Sequence, residues 1–185
     1  VAANNITGGH RTRFAVTRYG NVVGSRGSVL PYFKKQIASG AKELPITDPR
    51  MTRFWITLQQ GVDFVVKNFM RMQGGEIFVP KIPSVRIMDL VDSLSSGKST
   101  KIIGIRPGEK LHETMCPADD SHLTLEFDDH YVIKPTISIA HEFSYDRNLL
   151  DEKGLAVKDG FSYSSDINPH FLTVEELKTK YLDEE

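Results

Sequence analysis

Arginines followed by short polar turns are the residues of this 185-residue chain best suited to binding an anionic ligand. Arg53 lies in "DPRMTRFW", and Arg106 opens "RPGEKLHE" directly after a predicted strand, "KIIGI". A guanidinium at a strand end can hold phosphate because its planar fork donates two parallel hydrogen bonds. Glu109, in the Pro-Gly turn after Arg106, could accept from a ribose diol. A surface Arg–Glu ion pair of little energetic value fits the sequence alone somewhat better.

A glycine-rich stretch, "RYGNVVGSRGSV", follows an apolar strand pattern and precedes a helical one. Its glycines are Gly20, Gly24 and Gly27, whereas a dinucleotide fingerprint requires the spacing G-x-G-x-x-G. The spacing therefore favours a strand-to-helix connection that needs glycine for its backbone angles over a phosphate-binding loop.

A second stretch, "SSGKST", has the ending of a P-loop. Asp92 stands where that motif requires its first glycine, and an amphipathic helix pattern precedes the segment instead of a strand. The sequence therefore argues against a P-loop phosphotransferase.

Composition is that of an ordinary globular protein, with 39% hydrophobic and 25% charged residues. The net charge of −1 suggests neither nucleic acid nor an anionic membrane as a partner. Cys116 is the single cysteine, which excludes an internal disulfide and fits a reducing, cytoplasmic compartment. No histidine has metal-ligand spacing, and no apolar run approaches the length of a membrane span.

Periodicity predicts alternating strands and helices as far as about residue 115, which is typical of an α/β protein. Expected strands cover "RFAVT", "GGEIFVP", "KIIGI" as far as Arg106, and "YVIKPTISI".

A helix is expected after Ser28, with Val29, Phe33 and Ile37 facing the core. The stripe expected to be buried on the next long helix consists of Val62, Val65, Phe69 and Met72. Capping-box pairs are expected at Thr57 with Gln60 and at Thr173 with Glu176.

Five long segments resemble, in the same order, the inverting UDP-N-acetylglucosamine 4,6-dehydratases of the pseudaminic-acid pathway, which are extended short-chain dehydrogenase/reductases. These segments are "RYGNVVGSRGSVLPYF", "ITDPRMTRFWIT", "GGEIFVPKIPS", "KIIGIRPGEKLHE" and "YVIKPTIS". The resemblance is to the C-terminal half of such proteins, and the N-terminus "VAANNITGGHRTR" reads as a cut inside a longer protein.

The resemblance implies the C-terminal part of an NAD(P)-binding Rossmann domain together with a small α/β substrate-binding domain. Residues 1–40, mixed with later segments, are expected to end the Rossmann domain, and 41–125 to form mainly the UDP-sugar-binding domain. A C-terminal extension with a strand, loops and a final helix is expected over 126–185. The cofactor implied is NADP, the substrate UDP-N-acetylglucosamine, and the assembly a cytoplasmic homo-oligomer.

The resemblance also implies roles for individual residues. Asn21 is expected to hydrogen-bond the substrate beside the nicotinamide, and Thr47 to lie in the substrate cleft. Arg53 is expected to face the UDP phosphate, Arg106 to hold the pyrophosphate and Glu109 the uridine ribose. The residues expected to line the nicotinamide end of the cofactor are Val22, Val23, Gly24, Ser25 and Arg26.

The family's glycine fingerprint, its Asp–Lys pair and its Tyr-x-x-x-Lys motif are expected upstream of Val1, and "VAANN" resembles the end of the helix with the Tyr and Lys. The isolated chain is therefore expected to be inactive and poorly folded. A non-catalytic nucleotide-sugar-binding or assembly module remains an alternative. A retaining 4,6-dehydratase or a 4-epimerase relative is the nearest catalytic alternative.

Overall fold

The computed structural model describes residues 12–95, 97–136 and 144–181, and these residues form a mixed α/β structure. The α-helices are Val29–Ala38 (α1), Leu58–Arg71 (α2), Ile87–Leu94 (α3) and Val174–Tyr181 (α4). The first six strands are Val16–Thr17 (β1), Asn21–Val22 (β2), Glu43–Ile46 (β3), Thr52–Ile56 (β4), Ile77–Pro80 (β5) and Ser84–Arg86 (β6). The next six are Ser99–Ile102 (β7), Thr114–Cys116 (β8), Thr124–Glu126 (β9), His130–Ile133 (β10), Leu155–Ala156 (β11) and Tyr163–Ser164 (β12).

The chain alternates between two compact units. The first unit contains the chain as far as Tyr19, then Gln59–Lys81 and Thr114–Tyr163. The second contains Gly20–Leu58, Ile82–Glu113 and the chain from Ser164 onward. The expected division, in which residues 1–40 mix with later segments, stays a prediction. Parallel strands require long crossovers, so a unit can be assembled from segments far apart in the chain.

The first unit is built on a five-stranded sheet of order β1-β5-β10-β9-β11. β1 pairs with β5 in parallel, whereas β10 pairs antiparallel with both β5 and β9. The core of this unit is formed by Phe64, Met72, Phe78, Leu125, Phe127 and Val132. The predicted strands "RFAVT" and "GGEIFVP" are thus confirmed in their C-terminal residues, as β1 and β5.

Helix α2 turns a different face inward from the one predicted. Its inward positions are Gly61, Phe64, Asn68 and Arg71, and of the predicted stripe only Met72 is buried against the core. Val62 is 47% exposed and Phe69 67% exposed. The prediction assumed that polar side chains must face water, but the polar network around Arg71 occupies the inward face.

The second unit contains the sheet β2-β4-β6 and the parallel pair β3-β7. Helix α3 packs against both α1 and α4. The core members are Leu30, Phe33, Leu44, Ile46, Trp55, Val85, Leu90, Val91, Leu172, Leu177 and Tyr181. The predicted inward face of α1 is confirmed, because Phe33 is buried and both Val29 and Ile37 pack against this cluster.

The structure confirms one predicted helix cap and shortens one predicted strand. The Thr173–Glu176 capping box is present, since Glu176 N donates to Thr173 Oγ1 at 3.2 Å and Thr173 N donates to Glu176 Oε2 at 3.0 Å. The strand expected to run to Arg106 ends at Ile102, because Gly104 adopts a φ of 84° that interrupts extended backbone. The predicted helix end at "VAANN" and part of "YVIKPTISI" lie outside the described residues.

An ionic cluster joins α2 to two loops of the first unit. The Arg71 side chain is fully buried, with Nε 2.7 Å from Glu152 Oε2 and Nη2 2.7 Å from Asp129 Oδ1. Burial alone would lower the pKa of Arg71, but its hydrogen bonds to both carboxylates raise it. A buried charge without a partner is strongly destabilising, and here two carboxylates share the Arg71 guanidinium. The cluster therefore holds both loops against α2.

His130 is a fully buried neighbour of that cluster. Its Nδ1 lies 2.7 Å from Asp129 Oδ1, and its ring stacks on Phe127 with centroids 4.6 Å apart. Its Nε2 has no hydrogen-bond partner among the residues that the structure describes. Burial lowers the pKa of His130 from 6.5 to about 4, despite the opposing effect of Asp129.

We expect acid to destabilise this unit through His130. The unfolded chain binds a proton at the ordinary pKa of 6.5 and the folded chain only near 4, so the free energy of unfolding falls as pH drops through that window. The loss is on the order of 2–3 kcal/mol. Urea denaturation between pH 4 and 7 measures it. His130→Phe, which keeps a ring on Phe127, should flatten the dependence, whereas the exposed control His122→Gln should not. An unchanged slope in His130→Phe contradicts the assignment.

Candidate functional site

A cavity of about 710 Å³ in the second unit brings together residues from three separate parts of the chain. Its size lies within the range typical of small-molecule sites. The five residues expected to bind substrate all line it: Asn21, Thr47, Arg53, Arg106 and Glu109. Apolar walls come from α1, α3 and β4. The sequence thus predicted which side chains share a cavity, while their ligand contacts stay predictions.

Glycine lets β2 approach β4 at the wall of this cavity. A Cβ atom on Gly20 would lie 2.4 Å from Phe54 Cβ, so only glycine fits there without a shift. Gly24 and Gly27 adopt φ values of 71° and 78°, which favour glycine. The glycines of "RYGNVVGSRGSV" therefore serve the backbone path, as their spacing indicated. Asn21 pairs in register with Trp55 of β4, and both line the cavity.

The turn from Arg106 to Glu109 is closed by the Glu109 carboxylate. Oε2 accepts from the backbone N–H of Arg106 at 3.2 Å, and Oε1 accepts from Thr47 Oγ1 at 3.3 Å. Glu109 N donates in turn to the Arg106 carbonyl at 3.0 Å. Within residues 12–95, 97–136 and 144–181, the exposed Arg106 guanidinium makes no hydrogen bond or ion pair. A surface Arg106–Glu109 ion pair is therefore not what this turn contains, and the guanidinium is available to an anion.

The Arg53 guanidinium, in contrast, hydrogen-bonds several protein atoms. Nη1 donates to the carbonyls of Thr52 at 2.7 Å and Leu111 at 3.0 Å. Nη2 donates to the carbonyl of Lys110 at 2.8 Å and lies 3.7 Å from Met51 Sδ. Nε lies 3.7 Å from a Glu113 carboxylate oxygen. Arg53 also lines the larger cavity, and the phosphate contact that the resemblance implied for it stays a prediction.

A hydroxyl and imidazole cluster lies beside Arg53. Thr52 Oγ1 lies 2.8 Å from His112 Nδ1 and 2.7 Å from Ser165 Oγ, and Glu113 N donates to Ser165 Oγ at 2.9 Å. The sequence gave no sign of Ser165, because it is more than fifty residues from either of the segments that it joins. His112, expected to be a simple hydrogen-bonding residue, is one.

A smaller cavity of about 290 Å³ in the same unit contains part of the expected cofactor set. Val23 and Gly24 line it together with Lys34 and Tyr181. Val22 lines the larger cavity, and both Ser25 and Arg26 are exposed in the turn after β2. The smaller cavity is too small for a whole dinucleotide and has room for one ring system at most.

Two buried polar atoms in the wall of the larger cavity are unsatisfied. Trp55 Nε1 and Ser28 Oγ have no hydrogen-bond partner among the described residues, although Trp55 is only 2% exposed. Ser28 directly precedes α1, but its hydroxyl does not cap that helix. Trp55 was expected to be a packing residue, and its burial among the core residues confirms that.

Other reactive groups are inert or dispersed in the described residues. Cys116 is buried, and burial raises the pKa of its thiol to about 12, as expected for a structural cysteine. No three His, Cys, Asp or Glu side chains of this part of the chain are grouped so that they could hold a metal ion. Among the helices described, none has the length and apolar character needed to cross a membrane.

The comparison with protein families assigns the chain. A family model described as "Polysaccharide biosynthesis protein" matches residues 1–135. The chain belongs to this family. The mixed α/β fold also confirms the expected architecture, the C-terminal part of an extended short-chain dehydrogenase/reductase.

Individual relatives narrow the comparison. Over 96% of its length, the chain is 64% identical to a Campylobacter jejuni protein named UDP-N-acetylglucosamine 4,6-dehydratase (inverting), 53% of which is covered. The resemblance stated from the sequence is thereby confirmed. Over 91% of its length, the chain is 37% identical to a UDP-glucose 4-epimerase of Rickettsia canadensis, 49% of which is covered. The chain spans about half the length of the curated relatives it matches.

A solved structure has the same fold. The X-ray structure of Pen from Bacillus thuringiensis superposes with a TM-score of 0.77 over 96% of this chain and 52% of that chain, at 30% identity.

We expect Arg106→Ala to weaken UDP binding by about tenfold to a hundredfold in the full-length protein, because a hydrogen bond to a charged group contributes about 1.5–3 kcal/mol. Isothermal titration calorimetry with UDP measures the change. Arg50→Ala is the matched control, since Arg50 is also exposed but is paired with Asp48 by a bond of 2.7 Å. Equal UDP affinity in Arg106→Ala and the unaltered protein contradicts the assignment.

Proposed function

We propose that this chain is the substrate-binding part of an NADP-dependent dehydratase acting on UDP-N-acetylglucosamine. The observation that supports this most is the convergence of Asn21, Thr47, Arg106 and Glu109 on one cavity of nucleotide size. The Campylobacter jejuni relative is named for that substrate, and it shares 64% of the aligned residues.

Each polar group of the cavity has a role that its chemistry suits. The free guanidinium of Arg106 binds the pyrophosphate, whose charge it complements through paired N–H donors. Glu109, held by Thr47 and the backbone of Arg106, retains acceptor capacity for the ribose hydroxyls. Asn21 lies on β2, where it pairs in register with Trp55 of β4, and it donates a hydrogen bond to the sugar. Charge and geometry therefore orient the nucleotide with its sugar toward β2.

The reaction proposed is oxidation at C4 of the sugar, loss of water across C5 and C6, and return of the hydride to C6. The nicotinamide cofactor supplies the hydride acceptor and is unchanged after each turnover. The smaller cavity at Val23 and Gly24 suits a nicotinamide ring next to the sugar. In the inverting reaction the proton returns to the opposite face of C5, which gives a 4-keto-6-deoxy product.

The first unit supports the proposal that the chain does not act alone. β1 is the edge strand of its sheet, and its pairing with β5 is parallel. The outward face of α2 exposes Val62, Val66, Phe69 and Met70, each by at least 47%. In the part of the chain that the structure describes, an unpaired parallel edge and an exposed apolar helix face are both typical of an α/β sheet that continues. The relatives' other half is the occupant proposed for this surface. A homo-oligomeric assembly stays a prediction.

A 4-epimerase-type activity is the second candidate, favoured by the 37% identity to the Rickettsia relative. The two activities differ in their products, because epimerisation keeps the C6 hydroxyl and dehydration removes it. A non-catalytic binding module would release neither product.

We expect the full-length protein to convert UDP-N-acetylglucosamine to a product lighter by one water, and this chain alone to give no product. Mass spectrometry detects the loss, and NMR in D2O shows deuterium at C5 with the inverted configuration. Retention at C5 would favour the retaining alternative, and an isomer of unchanged mass would favour the epimerase. Turnover by the chain alone would contradict its expected inactivity.

A further inference from the structure

We propose that Ser165 is a positioning residue, which holds the backbone after the Arg106–Glu109 turn so that the turn presents its side chains to the nucleotide. This inference rests on the proposed function of the larger cavity. Ser165 is not among the described residues that line that cavity, and it acts through the backbone of Glu113.

The Ser165 hydroxyl is the buried centre of a small hydrogen-bond network. Ser165 is 0% exposed. Its Oγ accepts a hydrogen bond from Glu113 N at 2.9 Å, donates to the Thr52 carbonyl at 3.2 Å and lies 2.7 Å from Thr52 Oγ1. The Ser165 N–H donates to the Glu113 carbonyl at 2.8 Å. A hydroxyl can donate and accept at once, so this one side chain bonds both β4 and Glu113.

Three consecutive residues after the turn are bonded to this network. The Leu111 carbonyl accepts from Thr52 N at 3.2 Å. His112 Nδ1 lies 2.8 Å from Thr52 Oγ1, and the next residue is Glu113, which Ser165 holds. Thr52 lies on β4, which is the central strand of the sheet β2-β4-β6 and hence a rigid base.

The turn itself has little packing that could fix its conformation. Residues 101–108 are all exposed, and exposed segments with few buried contacts open locally at low cost in free energy. One end of this stretch is held by β7, which pairs with β3 as far as Ile102. The other end is held by the bonds to residues 111–113. The conformation of the turn therefore depends on how well both ends are anchored.

Loss of the Ser165 hydroxyl would leave the Glu113 N–H without its acceptor. An unsatisfied donor costs more free energy than a typical hydrogen bond contributes, so the chain would shift until that N–H met water. Groups that bind a ligand must be held within about 0.5 Å of the productive geometry. A shift at Glu113 would therefore reduce the affinity for the nucleotide although Ser165 does not touch it.

Ser121 offers a matched control in the first unit. It is 5% exposed, and its Oγ accepts from Gly160 N at 3.0 Å, which is the same kind of bond as that from Glu113 N to Ser165. Ser121→Ala should therefore lower stability much as Ser165→Ala does, but it should leave the affinity for UDP unchanged.

A double-mutant cycle with Arg106 is the decisive experiment, measured by calorimetry with UDP on the full-length protein. We expect Ser165→Ala to raise the Kd for UDP by about fivefold when Arg106 is present, and by less than about twofold in the Arg106→Ala background. Amide hydrogen exchange without ligand should be faster at Glu113 in Ser165→Ala and unchanged there in Ser121→Ala.

Thr52 provides a second pair of variants, which tests the network even if Ser165→Ala does not fold. Thr52→Val replaces the hydroxyl with a methyl group, whereas Thr52→Ser keeps the hydroxyl. Thr52→Val should weaken UDP binding as Ser165→Ala does, and Thr52→Ser should recover most of the affinity.

The outcomes separate this inference from the proposed function. Normal UDP affinity in Ser165→Ala, or an equal loss in the Arg106→Ala background, overturns the positioning role and leaves the function of the cavity intact. Equal losses of affinity in Ser165→Ala and Ser121→Ala also overturn it, because they would reflect stability alone. Absence of UDP binding by the unaltered protein overturns the proposed function and this inference with it.

Discussion

The hydrogen bonds from Arg53 to the carbonyls of Lys110 and Leu111 are the constraint on which the candidate site depends. Loops that bind ligands must present polar groups to solvent and still keep one conformation, and backbone bonds to a rigid strand achieve both. β4 provides that strand, and Trp55 two residues further along it forms part of the cavity wall. One short strand therefore contributes to the cavity wall and bonds the backbone that follows the Arg106–Glu109 turn.

The two units differ in how their buried polar side chains are paired. The first unit buries Arg71 completely and neutralises it with Asp129 and Glu152, so that the charge is paired inside the unit. In the second unit, Trp55 Nε1 is buried in the cavity wall with no partner among the described residues. A satisfied network stabilises a fold, whereas an unsatisfied donor costs free energy until an acceptor is supplied.

Much of this organisation could be predicted from the sequence, where local rules apply. The Thr173–Glu176 capping box and the inward face of α1 follow from short-range spacing and are confirmed. The face of α2 could not be predicted, because Asp129 and Glu152, the partners that allow Arg71 to be buried, lie far away in the chain. The hydrogen bonds from Arg53 to Lys110 and Leu111 could not be predicted for the same reason. Their acceptors are backbone carbonyls nearly sixty residues further along the chain, and backbone carbonyls leave no pattern in a sequence.

A crystal structure of the full-length protein with UDP tests the central claim most directly. The account predicts a pyrophosphate oxygen within hydrogen-bond distance of the Arg106 guanidinium and the uridine ribose at Glu109. UDP bound outside the cavity of the second unit would contradict the site.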